Sequence, residues 1–60
     1  MDSNTIIRML TEDGWYEVET HGSHHQFKHP TKSGKVTVVH PCKDVPKGTA
    51  HSILKQTGLK

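Results

Sequence analysis

Six histidines in sixty residues pose the first chemical question, and four of them (His21, His24, His25 and His29) fall within one short stretch that also holds Lys28. Imidazole titrates near neutral pH, so an exposed histidine can take the 2′-hydroxyl proton of RNA and start strand cleavage without a metal ion. Lysines beside it can hold the scissile phosphate and offset the charge that develops there. His24, with Lys28 further along the same strand face and Lys35 on the neighbouring strand, has that arrangement. The plain alternative is that His24 is a solvated strand residue with no chemical role.

A metal site is the competing chemistry, because imidazole suits zinc and copper. Strand geometry argues against it. His24 and His25 are adjacent and project from opposite faces, and no cysteine or carboxylate stands at a zinc-finger spacing from them. No metal and no cofactor is expected. His25 and His29 share the parity of Phe27 and read as neutral, partly buried side chains. His21 reads as a turn residue, His40 as a candidate second proton-transfer group near the end of a hairpin, and His51 as a contact to phosphate or solvent. A further candidate is the stretch Lys43-Asp44-Val45-Pro46-Lys47-Gly48-Thr49. Its N–H groups at a helix start attract phosphate, and Lys43 and Lys47 add charge. Equally, Asp44 caps that helix and the lysines are merely solvated.

These side chains need elements to position them. Ser3 is a good N-cap, and Ser3, Ile6, Ile7 and Leu10 fall at i, i+3, i+4 and i+7, which predicts a helix over about Ser3 to Asp13 that Gly14 closes. From Trp15 the period becomes two, with Tyr16, Val18 and Thr20 on one side and Trp15, Glu17 and Glu19 on the other. His21-Gly22 breaks this first strand in a hairpin turn. A second strand runs from Ser23 to His29 and stops at Pro30, with Phe27 toward the core. After a turn at Thr31 to Gly34, a third strand spans Lys35 to Val39 with Val36 and Val38 inward, and Pro41 ends it. Beyond the loop from Pro41 to Pro46, a second helix carries Ala50, Ile53, Leu54 and Thr57 on one stripe and stops at Gly58. The predicted class is α+β in the order α-β-β-β-α: a three-stranded antiparallel sheet with two helices on one face. The open face is expected to hold Glu17, Glu19, His24, Gln26, Lys28, Lys35, Thr37 and Val39.

Composition narrows the class. With 30% hydrophobic residues and no low-complexity tract the chain reads as folded, and a chain this short buries only ~60% of its unfolded surface. One domain over residues 1–60, of marginal stability, is expected. The longest apolar runs are pairs such as Ile6-Ile7 and Val38-Val39, against about 20 residues for a membrane span. No membrane partner is expected. Cys42 stands alone, so no internal disulfide forms and a reducing cytoplasm is the expected location. Net charge is only +2, yet five of the six acids precede Thr20, while all seven lysines and six histidines follow it. That asymmetry points to a phosphate-rich ligand and also suits an acidic protein partner.

Taken in order, Gly22-Ser23-His24-His25-Gln26-Phe27-Lys28-His29-Pro30, Gly34-Lys35-Val36-Thr37-Val38, His40-Pro41, Lys47-Gly48-Thr49 and Ser52-Ile53-Leu54-Lys55-Gln56-Thr57-Gly58-Leu59 closely resemble the HicA toxins of bacterial HicAB toxin–antitoxin systems. Asp13-Gly14-Trp15 is similar to the family's usual approach to its first strand. The resemblance implies a fold related to double-stranded RNA-binding domains and a ribosome-independent mRNA interferase activity. It also implies one catalytic histidine in the Gly-Ser-His motif, His24 here, and a HicB antitoxin whose N-terminal domain masks that residue. Two departures stand out. Val39 replaces a proline that many relatives carry before His40-Pro41, and Cys42 is foreign to the motif.

The expectation is therefore a metal-independent endoribonuclease toxin, monomeric alone and hetero-oligomeric with its antitoxin, acting on mRNA. His24 serves as general base, and Lys28, Lys35, Lys43, Lys47, Ser23 and Gly22 contact RNA. The alternatives are a non-catalytic double-stranded-RNA-binding module, whose footprint of about 16 base pairs is large for this chain, or a protein-interaction domain.

Overall fold

Two apolar stripes and one alternating strand pattern decide the architecture. In the computed structural model, which describes residues 1–59, helix α1 (Ser3–Glu12) buries Ser3, Ile6 and Leu10, and helix α2 (Lys47–Gln56) buries Ala50, Ile53 and Leu54. Between them run strands β1 (Tyr16–His21), β2 (His24–Lys28) and β3 (Val36–Val39), an antiparallel sheet in the order β1-β2-β3. The chain is α+β with the order α-β-β-β-α, as the sequence predicts. Phe27, Val36 and Val38 close a core with Ile6, Leu10, Trp15, Val45, Ala50 and Ile53, and both helices pack there against β3. His24, Gln26 and Lys28 of β2, with Thr37 and Val39 of β3, occupy the face that the helices leave open. No helix among the described residues is long and apolar enough to cross a membrane.

The start of α1 differs from the expectation. Asp2 is its N-cap, and the Asp2 carboxylate accepts the Thr5 N–H at 2.9 Å. Ser3 is buried instead, because the chain after Pro41 passes close to the first turn. The Ser3 hydroxyl accepts the Cys42 N–H at 2.9 Å, and the Ser3 N–H donates to the Cys42 carbonyl at 2.8 Å. At the other end, Gly14 lies at φ +104°, and the N–H groups of Gly14 and Trp15 bond the carbonyls of Thr11 and Leu10 at 3.0 and 2.9 Å. This pair of bonds requires a left-handed residue after the cap. It also swings Trp15 into the core, where it is 2% exposed.

Strand β1 corrects the parity reading. The ladder pairs Glu17 with Phe27 but Glu19 with Gln26, so Val18 is an extra, bulged residue. A bulge sets two residues against one and shifts the alternation by one position. Glu17 therefore lies on the helix side, where it bonds His25, and Glu19 stays on the open face. Trp15 precedes the ladder and is buried, whereas Tyr16 and Val18 are exposed. Strands β2 and β3 are also shorter than expected, since Ser23 belongs to the turn, His29 lies beyond β2 and Lys35 precedes β3. Strand β1 runs on through His21, so the turn is Gly22-Ser23 and not His21-Gly22.

The loop from His29 to Lys32 joins both helix ends. His29 Nε2 donates to the Asp13 carbonyl at 2.7 Å, and its ring stands edge-on to Trp15 at 5.3 Å. The Lys32 ammonium donates to the Asp13 carboxylate and, at 3.0 Å, to the Thr57 carbonyl at the end of α2. A cation there also complements the helix dipole.

Two outcomes follow from this junction. A Cβ at Gly14 would lie 2.9 Å from His29 Nε2, so Gly14→Ala is expected to cost roughly 1–3 kcal/mol. Thermal unfolding should then shift down by at least about 4 °C; an unchanged midpoint contradicts the packing. Hydrogen bonding from Lys32, foremost, holds the Asp13 carboxyl below its ordinary range. Stability from a depressed carboxylate is present above its unfolded value, about 3.9, and lost as pH falls through the lower folded value. Lys32→Met should therefore make the chain less stable at neutral pH and flatten its loss of stability below about pH 4. Parallel acid-unfolding curves for the two proteins would rule this out.

Candidate functional site

His24 opens β2, and the hairpin that positions it turns on Gly22 and Ser23. His21 and His24 are partners across this two-residue connection. Gly22 has φ +61° and Ser23 is not in the positive-φ range, the pattern of a type II′ turn with glycine at its first central position. Nothing lies within 4 Å of where a Gly22 side chain would begin. Backbone conformation, not crowding, demands glycine there, and the tip stays accessible. The Ser23 carbonyl accepts the His40 N–H at 2.8 Å, tying the turn to the end of β3. The rings of His21, His25, His29 and His40 each have a bonded partner. The exposed ring of His24 has none among the described residues.

Of the sequence-predicted lysines, Lys28 and Lys35 flank this face. Lys28 ends β2 on the same side, four residues from His24, which separates their Cα atoms by about 13 Å. Lys28 is thus placed for a phosphate further along a bound strand than the one beside His24. Lys35 reaches across to Glu19, with Nζ 3.8 Å from Oε2. Glu19 Oε1 also accepts from His21 Nε2 at 2.8 Å. The hydrogen bond from His21, first, and the charges of His21 and Lys35 hold the Glu19 carboxyl below its ordinary range. A linked His21–Glu19–Lys35 group therefore lies beside His24. Sequence reading missed His21 as part of it; the signal was its i, i+2 spacing from Glu19 just before the turn.

Lys43 and Lys47 belong to the helical layer. Lys43 lines a shallow hollow with Asp2, Ser3, Asn4, Pro41 and Cys42. Lys47 begins α2 and lines a separate cavity with Met1, Val45, Ala50, His51 and Leu54. Neither is joined to His24 by a contact among the described residues. The N-cap of α2 is Pro46 with no side-chain bond, so Asp44 does not cap the helix as one reading of this loop had it.

The remaining histidines have structural partners. His40 is not brought to His24, because alternation past Val39 turns its ring to the helix side. There its Nδ1 lies 2.7 Å from the buried Ser3 hydroxyl, and its ring is 5.3 Å from that of His25. His25 Nδ1 is 3.0 Å from Glu17 Oε2. Hydrogen bonds from Thr20, first, and His25 keep the Glu17 carboxyl below its ordinary range. Among the described residues no three His, Cys, Asp or Glu side chains gather as metal ligands.

His29 has a determined tautomer. Its Nδ1 accepts the N–H groups of Thr31 and Lys32, each at 3.1 Å, so the ring proton that bonds the Asp13 carbonyl sits on Nε2. Long-range nitrogen–proton correlation spectra at neutral pH should show His29 fixed as the Nε2–H form. An Nδ1–H form would contradict this network.

The family described as "HicA toxin of bacterial toxin-antitoxin" matches residues 3–59. Comparison with curated proteins finds no match. The family match runs from the first residue of α1 through Leu59 and so takes in the whole α-β-β-β-α arrangement, the Gly22-Ser23-His24 turn included. The chain belongs to the HicA toxin family of bacterial toxin–antitoxin systems.

Proposed function

We propose that the chain is a metal-independent endoribonuclease toxin that cleaves mRNA without the ribosome and is neutralised by a HicB-type antitoxin. The observation that carries this reading is His24, exposed on the helix-free face with neither ring nitrogen bonded among the described residues. A general base must reach its proton directly or through one water, and an unengaged imidazole meets that need. His24 takes the 2′-hydroxyl proton, the 2′-oxygen attacks the adjacent phosphorus, and cleavage leaves a 2′,3′-cyclic phosphate. Lys35 offsets charge on the scissile phosphate once RNA draws it from Glu19, and Lys28 holds a neighbouring phosphate. Gly22 and Ser23 let the RNA backbone approach the turn. Lys43 and Lys47 contact a longer RNA from the helical side.

The same exposed face suits inhibition. An antitoxin domain laid over β2 covers His24 and excludes RNA in one step. The toxin alone is then a monomer, the neutralised form a hetero-oligomer, and both act in the cytoplasm. Folding as one domain over residues 1–60 is part of the same proposal.

Purified chain incubated with RNA in EDTA is expected to cut it. His24→Ala should slow cleavage by at least about 100-fold, and a single 2′-deoxy substitution at a mapped cut site should abolish cutting there. Full activity in His24→Ala, or none in the wild type, overturns the proposal. RNA binding without cleavage by the wild type would favour a non-catalytic module instead.

A further inference from the structure

Proton transfer in such a cleavage has two ends, and His24 as general base accounts for one of them. The attacking 2′-oxygen and the departing 5′-oxygen lie on opposite sides of the phosphorus in an in-line displacement. The departing oxygen is a poor leaving group unless it is protonated as its bond breaks. An acid placed across the phosphate from His24 would speed that departure. His40, the candidate from sequence, is engaged with Ser3 on the other side of the sheet.

His21 stands in the required place. It is the ladder partner of His24, and directly opposed residues project from the same face, with Cα atoms about 5.5 Å apart in a hydrogen-bonded pair. Both rings are therefore set to flank one phosphate at the hairpin end. His21 is 64% exposed, and its Nε2 is held 2.8 Å from Glu19 Oε1. That contact orients the ring, with Nε2 toward the carboxylate and Nδ1 turned away from it. Lys35, on the other Glu19 oxygen, supplies positive charge beside the same phosphate.

We propose that His21, oriented by Glu19, donates the proton to the 5′-oxygen leaving group in the cleavage that His24 begins. This rests on the reading of the chain as a His24-dependent ribonuclease. His24 takes the 2′-hydroxyl proton as the 2′-oxygen–phosphorus bond forms. The phosphorus–5′-oxygen bond breaks with its electron pair on oxygen, and that oxygen takes the Nδ1 proton of the His21 imidazolium. The products are a 2′,3′-cyclic phosphate and a 5′-hydroxyl. His21 is left neutral with its Nε2–H on Glu19, and His24 is left protonated; proton exchange with water resets both. Glu19 is a positioning residue in this scheme, since it touches His21 and not the substrate.

The test compares two substrates: ordinary RNA, and the same RNA with sulfur replacing the bridging 5′-oxygen at a mapped cut site. A thiolate departs without being protonated, so the acid is needed only for the first. His21→Ala should slow cleavage of ordinary RNA by about 100-fold or more and abolish the alkaline limb of its pH–rate profile. The same variant should cut the sulfur substrate within a few-fold of the wild-type rate. His24→Ala should be slow on both. Glu19→Gln should reproduce the His21→Ala pattern in milder form, with partial rescue by Glu19→Asp. Because His21 and Glu19 are exposed, circular dichroism should show all these variants folded. Ordinary RNA cut at the wild-type rate by His21→Ala, or equal losses on both substrates, overturns the role of His21. If the wild type cuts neither substrate, or His24→Ala cuts both at full rate, the underlying ribonuclease reading is what fails.

Discussion

Phe27 can be buried only if β2 turns that side chain toward α1 and α2, and alternation then sends Gln26 and Lys28 to the opposite side together with His24. The partner strand obeys the same requirement, since Val36 and Val38 face Phe27 and His25 across the ladder and are themselves buried. A slip of one residue would put His24 beneath the helices and Phe27 in water. Core packing and site exposure are therefore one constraint. Anything that preserves the burial of Phe27 preserves the availability of His24.

Around that constraint, the bulge at Val18 sorts the acids. It sends Glu17 to the helix side, where His25 and Thr20 engage it, and keeps Glu19 on the open side with His21 and Lys35. Each carboxylate thus bonds a different histidine, Glu17 to His25 and Glu19 to His21. The helix side becomes a bonded, structural set of imidazoles, with His40 on Ser3 and His29 on Asp13. On the open side His24 has no partner among the described residues, and it lies beside His21, which is held on Glu19.

Much of this was legible in the residues. The stripes of α1 and α2 and the inward side chains Phe27, Val36 and Val38 follow from periodicity, and with them the open position of His24. Three features were not legible for a shared reason: each depends on contacts distant in sequence. The bulge comes from matching β1 to β2 and has no marker in Glu17-Val18-Glu19 itself. Ser3 looks like a cap because nothing local shows that Cys42 will pass over it. His40 looks available because the strand parity that turns it toward Ser3 extends past the last ladder residue. His21 looks like a turn residue because it stands next to Gly22, although its pairing with His24 follows once the turn is counted as the two residues Gly22 and Ser23.

The central claim is that an imidazole on the open face drives attack by the RNA's own 2′-hydroxyl. Phosphorus NMR of the fragments produced by the wild-type chain in EDTA tests it most directly, because the chemistry is written in the new ends. A 2′,3′-cyclic phosphate as the first-formed end is the predicted result. Fragments carrying a 5′-phosphate, the mark of attack by water, would contradict the account.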